Sequence, residues 1–359
     1  MHKILATLVI SQLAAPSPEA PFREPQLAAG HGLVAMAFGS GSNIYVAVST
    51  DNGQNFAKPV KVAGAPVVPL SRHRGPRIVI SGGTIVVTAV VGQTEAAGTH
   101  VHGLPSDGDL LAWQSLDSGL TWSKSVTIND VATAPREGLH TLASDGRGNL
   151  FAAWLDQRGK GTQLYGAWSS DSGATWSKNV KIYESSDGTI CQCCHPTAAF
   201  DGSGGLDLMW RNVLDGSRDF YLLHADAERR FGKPEKLGLG TWKIDACPMD
   251  GGGLVHAGAK TVTVWRRMDE IFMAEPGKPE TKIGDGKDVA LSAAGDHIYA
   301  AWIKGAQLIL STDGKQETVA SQAAFPNLTP LPGGGALLAW EENNGISFRR
   351  LPVKGIEGR

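Results

Sequence analysis

The sequence predicts an all-β protein, a β-propeller of four-stranded blades, and three observations predict it. The 359 residues include 45 Gly, 19 Pro and 10 Trp, a balance rich in turns and aromatic wedges. Apolar runs are short, and no 3.6-residue stripe is long enough for a substantial helix. The third observation is repetition, which decides the architecture of a chain this long, because rings of β-sheet exceed ordinary domain length without splitting.

The clearest repeat is a turn. Ser49-Thr-Asp-Asn-Gly-Gln-Asn-Phe56, Ser115-Leu-Asp-Ser-Gly-Leu-Thr-Trp122 and Ser169-Ser-Asp-Ser-Gly-Ala-Thr-Trp176 share the pattern Ser-x-Asp-x-Gly-x-x-aromatic, and Ser311-Thr-Asp-Gly314 is a shortened copy. In each, Asp is placed to accept backbone N–H groups, Gly supplies a positive φ, and the aromatic residue folds back between sheets.

A second pattern lies upstream of each turn: a polar or Pro-containing entry, a short strand, a Gly turn, and a strand that often ends in Trp or Phe. It starts at Pro25, Pro76, His140, Pro196, Pro248, Val289 and Pro326, and its second strand ends near Phe38, Val91, Trp154, Trp210, Trp265, Trp302 and Trp340. These seven starts predict seven blades. The last has room for only three strands after it, so the N-terminal segment, residues 17 to 24, is expected to supply the fourth and close the ring.

On the Asp turns, the chain resembles the sialidase superfamily, the Asp-box (BNR-repeat) propellers, over essentially its whole length after the N-terminal leader described below. The resemblance implies six blades, whereas seven repeats are counted here. It also implies three arginines around a substrate carboxylate. Phe22-Arg-Glu-Pro-Gln-Leu27 resembles the Arg-x-Pro segment with which sialidases begin, so Arg23, Arg211 and Arg266 are the candidates. Guanidinium forks suit a carboxylate. The resemblance further implies a nucleophilic Tyr near the C-terminus with Glu and Asp partners; the last tyrosine here is Tyr299, inside an apparent strand, so the sequence departs from the family pattern at that point.

Antiparallel blades put the Asp turns on one face and the entries to the first strands on the other, the face where propellers gather ligands. That upper face collects His73, Glu137, His140, Cys193, Cys194, His195, Asp245 and Cys247 with the three arginines, and Glu137 and Asp245 are its candidate catalytic carboxylates. The loop from Gly92 to Asp109 adds His100 and His102. Trp242 precedes a funnel entry and is expected to face a ligand, whereas the strand-end tryptophans are expected to be core.

Three readings of the cysteines stay open. Cys193, Cys194, His195 and Cys247, with His73 or His140 completing the shell, have the donor types of a zinc or copper site. Cys247 could instead be bridged to one of the 191 to 194 group. Adjacent Cys193 and Cys194 could form only a strained, easily reduced bridge.

Net charge is −2 and the pI about 6.6, which argues against a partner held by bulk electrostatics, nucleic acid in particular. Met-His-Lys, the apolar run Ile4 to Leu13 and Ala14-Ala15-Pro16 read as a leader over residues 1 to 15, too short to span a bilayer. Residues 16 to 353 then form one propeller domain, and Ile356-Glu-Gly-Arg359 reads as a tag remnant in a tail of residues 354 to 359. The expectation is a secreted or periplasmic monomer with a metal-binding Cys/His/Arg site for a small anionic ligand. A sialidase-type exo-glycosidase acting on glycans and a non-catalytic carbohydrate- or protein-binding propeller are the alternatives.

Overall fold

The computed structural model describes residues 9–97, 103–135 and 137–352. They form seven four-stranded antiparallel sheets, and the described residues contain no helix. Blades one to six occupy residues 23–64, 77–127, 140–183, 197–236, 252–285 and 287–320, each in simple strand order. Blade seven begins at Ala324–Pro330, continues through Ala336–Glu342 and Gly345–Leu351, and takes its outer strand from Ser11–Leu13, which pairs with residues 346 to 348. That outer strand was expected from residues 17 to 24. Those residues instead lead into the first strand of blade one, Arg23–Gly30, whose position on the axis leaves them too far inward to pair at the rim.

The first strands of successive blades touch one another around the ring, with blade seven against blade one. Each blade interface has its own apolar core: seven clusters lie between one and two, two and three, and so on to seven and one. A second strand buried on both faces needs a continuous apolar run rather than alternation. Thr84–Val91 and Leu150–Asp156 are buried along their whole length for this reason. Trp113, Trp154, Trp168, Trp210, Trp265, Trp302 and Trp340 are all buried, as wedges between blades should be.

The Ser-x-Asp-x-Gly turns sit between third and fourth strands, on the face opposite the inner-strand entries. In the turn at 115–121, Ser115 Oγ donates to Asp117 Oδ1 at 2.8 Å and accepts from Gly119 N at 2.8 Å, and Asp117 Oδ1 accepts from Thr121 N at 2.9 Å. The turns at Asp51 and Asp171 repeat the arrangement. Asp171→Ala is expected to lower stability by about 1 kcal/mol, the scale of a lost side-chain cap, without changing chemistry on the far face. Gly119 has φ +86, and a Cβ there would meet Val48 Cγ2 at 2.8 Å. Gly119→Ala should therefore lower the melting temperature more than Asp171→Ala does, which thermal unfolding of the two variants would check.

Candidate functional site

Each blade brings the chain from the rim to the axis before its first strand, and the backbone makes that step with unusual dihedrals. Six of the seven entries carry a residue at positive φ: Glu24 (55), Gly75 (105), Gly138 (77), Met249 (54), Asp288 (55) and Phe325 (48). In blades one, six and seven the same place has a register shift between Arg23 and Gln26, Lys287 and Ala290, and Ala324 and Asn327. Such bulges re-aim side chains, and here they direct Glu24, Asp288 and Phe325 toward the centre.

His73 occupies that centre. It stands in the entry to blade two, where both Arg72 (φ 54) and His73 (φ 64) are left-handed, a conformation that costs roughly 1–2 kcal/mol per non-glycine residue. Its Nε2 lies 2.9 Å from Asp288 Oδ1 and 4.0 Å from Asp250 Oδ1, in blade six and the entry to blade five. Its backbone N–H donates to Glu24 Oε1 at 3.0 Å. Its ring is 4.9 Å from that of His195 and 5.3 Å from that of Phe325. One residue, by its ring and its backbone N–H, thus meets groups from five other blades, which places it on the propeller axis. A central cavity of about 220 Å³ is lined by His73, His195, Arg77 and the inner strands.

The electrostatics are those of crowded burial. Burial works to depress His73, but the hydrogen bond to Asp288 and the charges of Asp288, Glu24 and Asp250 outweigh it and raise its pKa. Burial likewise works to raise Asp288, but the bond and charge from His73 hold its carboxyl below the ordinary range. Asp250 is raised, by burial first and then by Asp288. Glu24 is raised to about 7 by burial, with Glu341 adding to it and His73 and Arg77 opposing it. Two buried polar atoms here have no hydrogen-bond partner, Asp250 Oδ1 and His195 Nδ1.

The cysteines form a separate cluster beside this centre. Cys191, Cys193 and Cys194 are buried and unbridged, and Cys247 is exposed. Cys191 Sγ lies 3.1 Å from Cys194 Sγ and 3.6 Å from Cys193 Sγ. The turn is pinned by Ile190 N donating to Thr162 O and Cys191 N donating to Arg211 O. Hydrogen bonding with the Cys193 and Cys194 thiols lowers Cys191, whereas Cys193 and Cys194 are raised, the former mainly by bonding to Cys191 and the latter mainly by burial.

Among the expected metal ligands, then, Cys193 and Cys194 come together with Cys191, while Cys247, His195, His73 and His140 do not join them. The His195 ring lies against that of His73, and Cys247 is exposed. His140 is buried with Nε2 3.0 Å from Thr88 Oγ1 and Nδ1 3.4 Å from Gly138 O, so both ring nitrogens are engaged within the protein. Burial, with the Arg77 charge second, lowers it to about 3. Among the described residues, two groups bring three ligand atoms within 4.8 Å: the three thiols, and His73 with Asp250 and Asp288. In the second group the positive charge is already supplied by His73, by Arg266 at 3.9 Å from Asp250 and by Lys287 at 3.6 Å from Asp288.

The arginines do not converge on an open point. Arg23 pairs with Glu341 at 2.7 Å. Arg211 is buried, lies over Phe220 at 4.1 Å, and donates to the carbonyls of Arg218 and Arg266. Arg266 bonds Met268 O and reaches Asp269 at 3.2 Å. Trp242 is covered by Arg211 and Arg266 rather than facing a ligand. Glu137 is held by Arg74 and Gln157, and Asp245 is exposed. No tyrosine lies at the axis: Tyr45, Tyr183 and Tyr221 pack on core aromatics, Tyr165 lies under Arg158, and Tyr299 is buried with its hydroxyl on Pro352 O. His100 and His102 fall outside the described residues.

Sequence reasoning missed Asp250 and Asp288 and left Glu24 unassigned. A usable signal was the residue just ahead of each entry proline or valine, as in Glu24-Pro25, Asp288-Val289 and Phe325-Pro326.

No family model and no curated protein matches the sequence. Solved structures do. The chain is similar to an ulvan lyase of a polysaccharide lyase family, at 11% identity and a TM-score of 0.56, over 95% of this chain and 96% of that one. It is similar to an α-L-arabinanase of Penicillium chrysogenum, at 13% identity and a TM-score of 0.55, over 97% and 100%. The fold is that of the sialidase-like propellers. The NanB sialidase of Streptococcus pneumoniae shares it at 10% identity and a TM-score of 0.54, over 96% of this chain and 70% of that one. Seven blades, where the resemblance implied six, are what this chain builds.

Proposed function

We propose that the protein is a glycan-cleaving enzyme whose proton-transferring group is His73. The observation that carries this reading is the placement of His73 on the axis by two left-handed residues, against an ionised Asp288 and an Asp250 oxygen that has no hydrogen-bond partner. Local strain of this kind is kept where the surrounding structure holds it for a purpose. An imidazole whose pKa is raised by a carboxylate partner holds a proton near neutral pH and can pass it to a departing sugar oxygen. The unpartnered buried oxygen of Asp250 is a position that a substrate hydroxyl can satisfy.

The similar propellers support a saccharide as substrate, since their names describe an ulvan lyase, an arabinanase and a sialidase. A small free anion is the weaker reading because Arg23, Arg211 and Arg266 are each committed to protein groups. The sialidase-type route is weaker for want of an axial tyrosine. The apolar segment Ile4 to Leu13 supports action outside the cytoplasm.

The test is a screen of acidic and neutral polysaccharides, reading both new reducing ends and new unsaturated uronates. The intact protein should turn over at least one glycan, and His73→Gln should lose about 10²-fold or more in kcat/KM while still unfolding cooperatively. Equal turnover by the variant, or no turnover of any glycan by the intact protein, would overturn the reading.

A further inference from the structure

The three thiols beside the axis are not used by the chemistry above, and they are built as a site. Cys191, Cys193 and Cys194 fall within four consecutive residues, their sulfur atoms all lie within 4.8 Å of one another, and all three are buried. Val213 and Met249 pack against them and cover them with apolar surface. Thiolate–metal bonds of ~2.3 Å in a trigonal plane separate the sulfurs by ~4 Å, so the Cys191 sulfur, now 3.1 Å from that of Cys194 and 3.6 Å from that of Cys193, would move out by less than about 1 Å to admit the ion.

We propose that Cys191, Cys193 and Cys194 bind one soft monovalent metal ion, cuprous copper. Three arguments select it. Thiolates without a carboxylate or imidazole among them favour soft ions. Structural zinc takes four protein ligands, and among the described residues this group offers three, with Cys247 outside it and exposed.

The third argument is charge. Three thiolates around one cuprous ion carry two negative charges, and two guanidinium groups face them. Arg218 Nη1 donates to Cys191 Sγ at 3.4 Å, and the charge of Arg211 acts on both Cys191 and Cys194. A divalent ion at the same place would leave an uncompensated positive charge in a buried setting. Arg211 is itself fixed by the carbonyls of Arg218 and Arg266 and accepts the Cys191 amide on its own carbonyl, so sulfur, guanidinium and backbone hold one another in place.

The site stands independently of the glycan reading, and its test uses no turnover. The full chain, reduced and handled without oxygen, is titrated with cuprous ion against a chromophoric cuprous chelator, and its thiols are then alkylated and counted by mass. The expected result is one copper retained per chain, a thiolate-to-copper absorption in the near ultraviolet, and alkylation confined to Cys247. Cys247→Ser should bind copper unchanged, and Cys191→Ser should weaken binding by 100-fold or more.

The alkylation count on the unaltered chain decides the matter even if Cys191→Ser fails to fold. Copper lost entirely to the chelator, zinc retained in preference to copper, or a two-dalton mass deficit showing Cys191 and Cys194 bridged and indifferent to copper would each overturn the proposal.

Discussion

Acidification from pH 6.5 to pH 4 is expected to remove about 3 kcal/mol of stability through His140 alone. The folded protein holds this side chain at about 3, against an ordinary 6.5, because burial and the Arg77 charge both oppose its protonation. Between those two values the unfolded chain binds a proton that the folded chain refuses. Stability therefore rises with pH across the window and is lost as pH falls through it.

His195 is depressed by burial and by the charges of His73, Arg77 and Arg211, and acts in the same direction. His73 and Glu24, both raised, act in the opposite one. The measurement that isolates His140 is a difference: urea unfolding of the unaltered protein and His140→Gln at pH 7 and at pH 4. The variant starts lower, having lost its bond to Thr88, and the gap should close or reverse on acidification. A gap that stays constant would mean that His140 is not held neutral in the fold.

Glu24→Gln should behave in the opposite sense, gaining about 3 kcal/mol relative to the unaltered protein on moving from pH 4.5 to pH 8. Glu24 is buried and raised from 4.5 to about 7. Across that interval the folded state keeps a proton that the unfolded state has released, so stability falls as pH rises and is flat above the folded value. A neutral amide removes the titration and leaves an oxygen able to accept from His73 N, the bond Glu24 makes at 3.0 Å. Chemical unfolding at the two pH values decides it. The same gap at both would show that the carboxyl is already ionised throughout.

What the sequence made legible was local. Asp117 and Gly119 announce their turn because donor, acceptor and positive-φ residue all lie within a few positions. The seven entries are legible because a buried second strand follows each, ending in an aromatic wedge in all but the second blade, where it ends at Val91. The Asp turns and the entries therefore set blade order and face, and with them the neighbourhood of the site.

What the sequence hid was long-range. His73 meets Asp250 and Asp288, 177 and 215 positions later, through the curvature of the whole ring. The left-handed backbone that aims Glu24 and Asp288 inward carries no glycine to betray it. The grouping of the cysteines was misread for a related reason. Cys247 was grouped with Cys193 and Cys194 as a ligand, but it is exposed, while the 191 to 194 turn is buried under Val213 and Met249.

The pairing of Ser11–Leu13 with residues 346 to 348 sets an order of events. Those three residues are synthesised well over three hundred positions ahead of their partners. At 5–20 residues per second the two are made roughly 17–70 s apart. Until then the early segment has no sheet to join, and Gly345–Leu351 has no outer neighbour until it arrives. The segment also lies within residues 1 to 15, so if those residues are removed as the expected leader, blade seven loses this strand. A chain cut there would present the Gly345–Leu351 edge with open N–H and C=O groups, a place where a strand supplied from another chain can add.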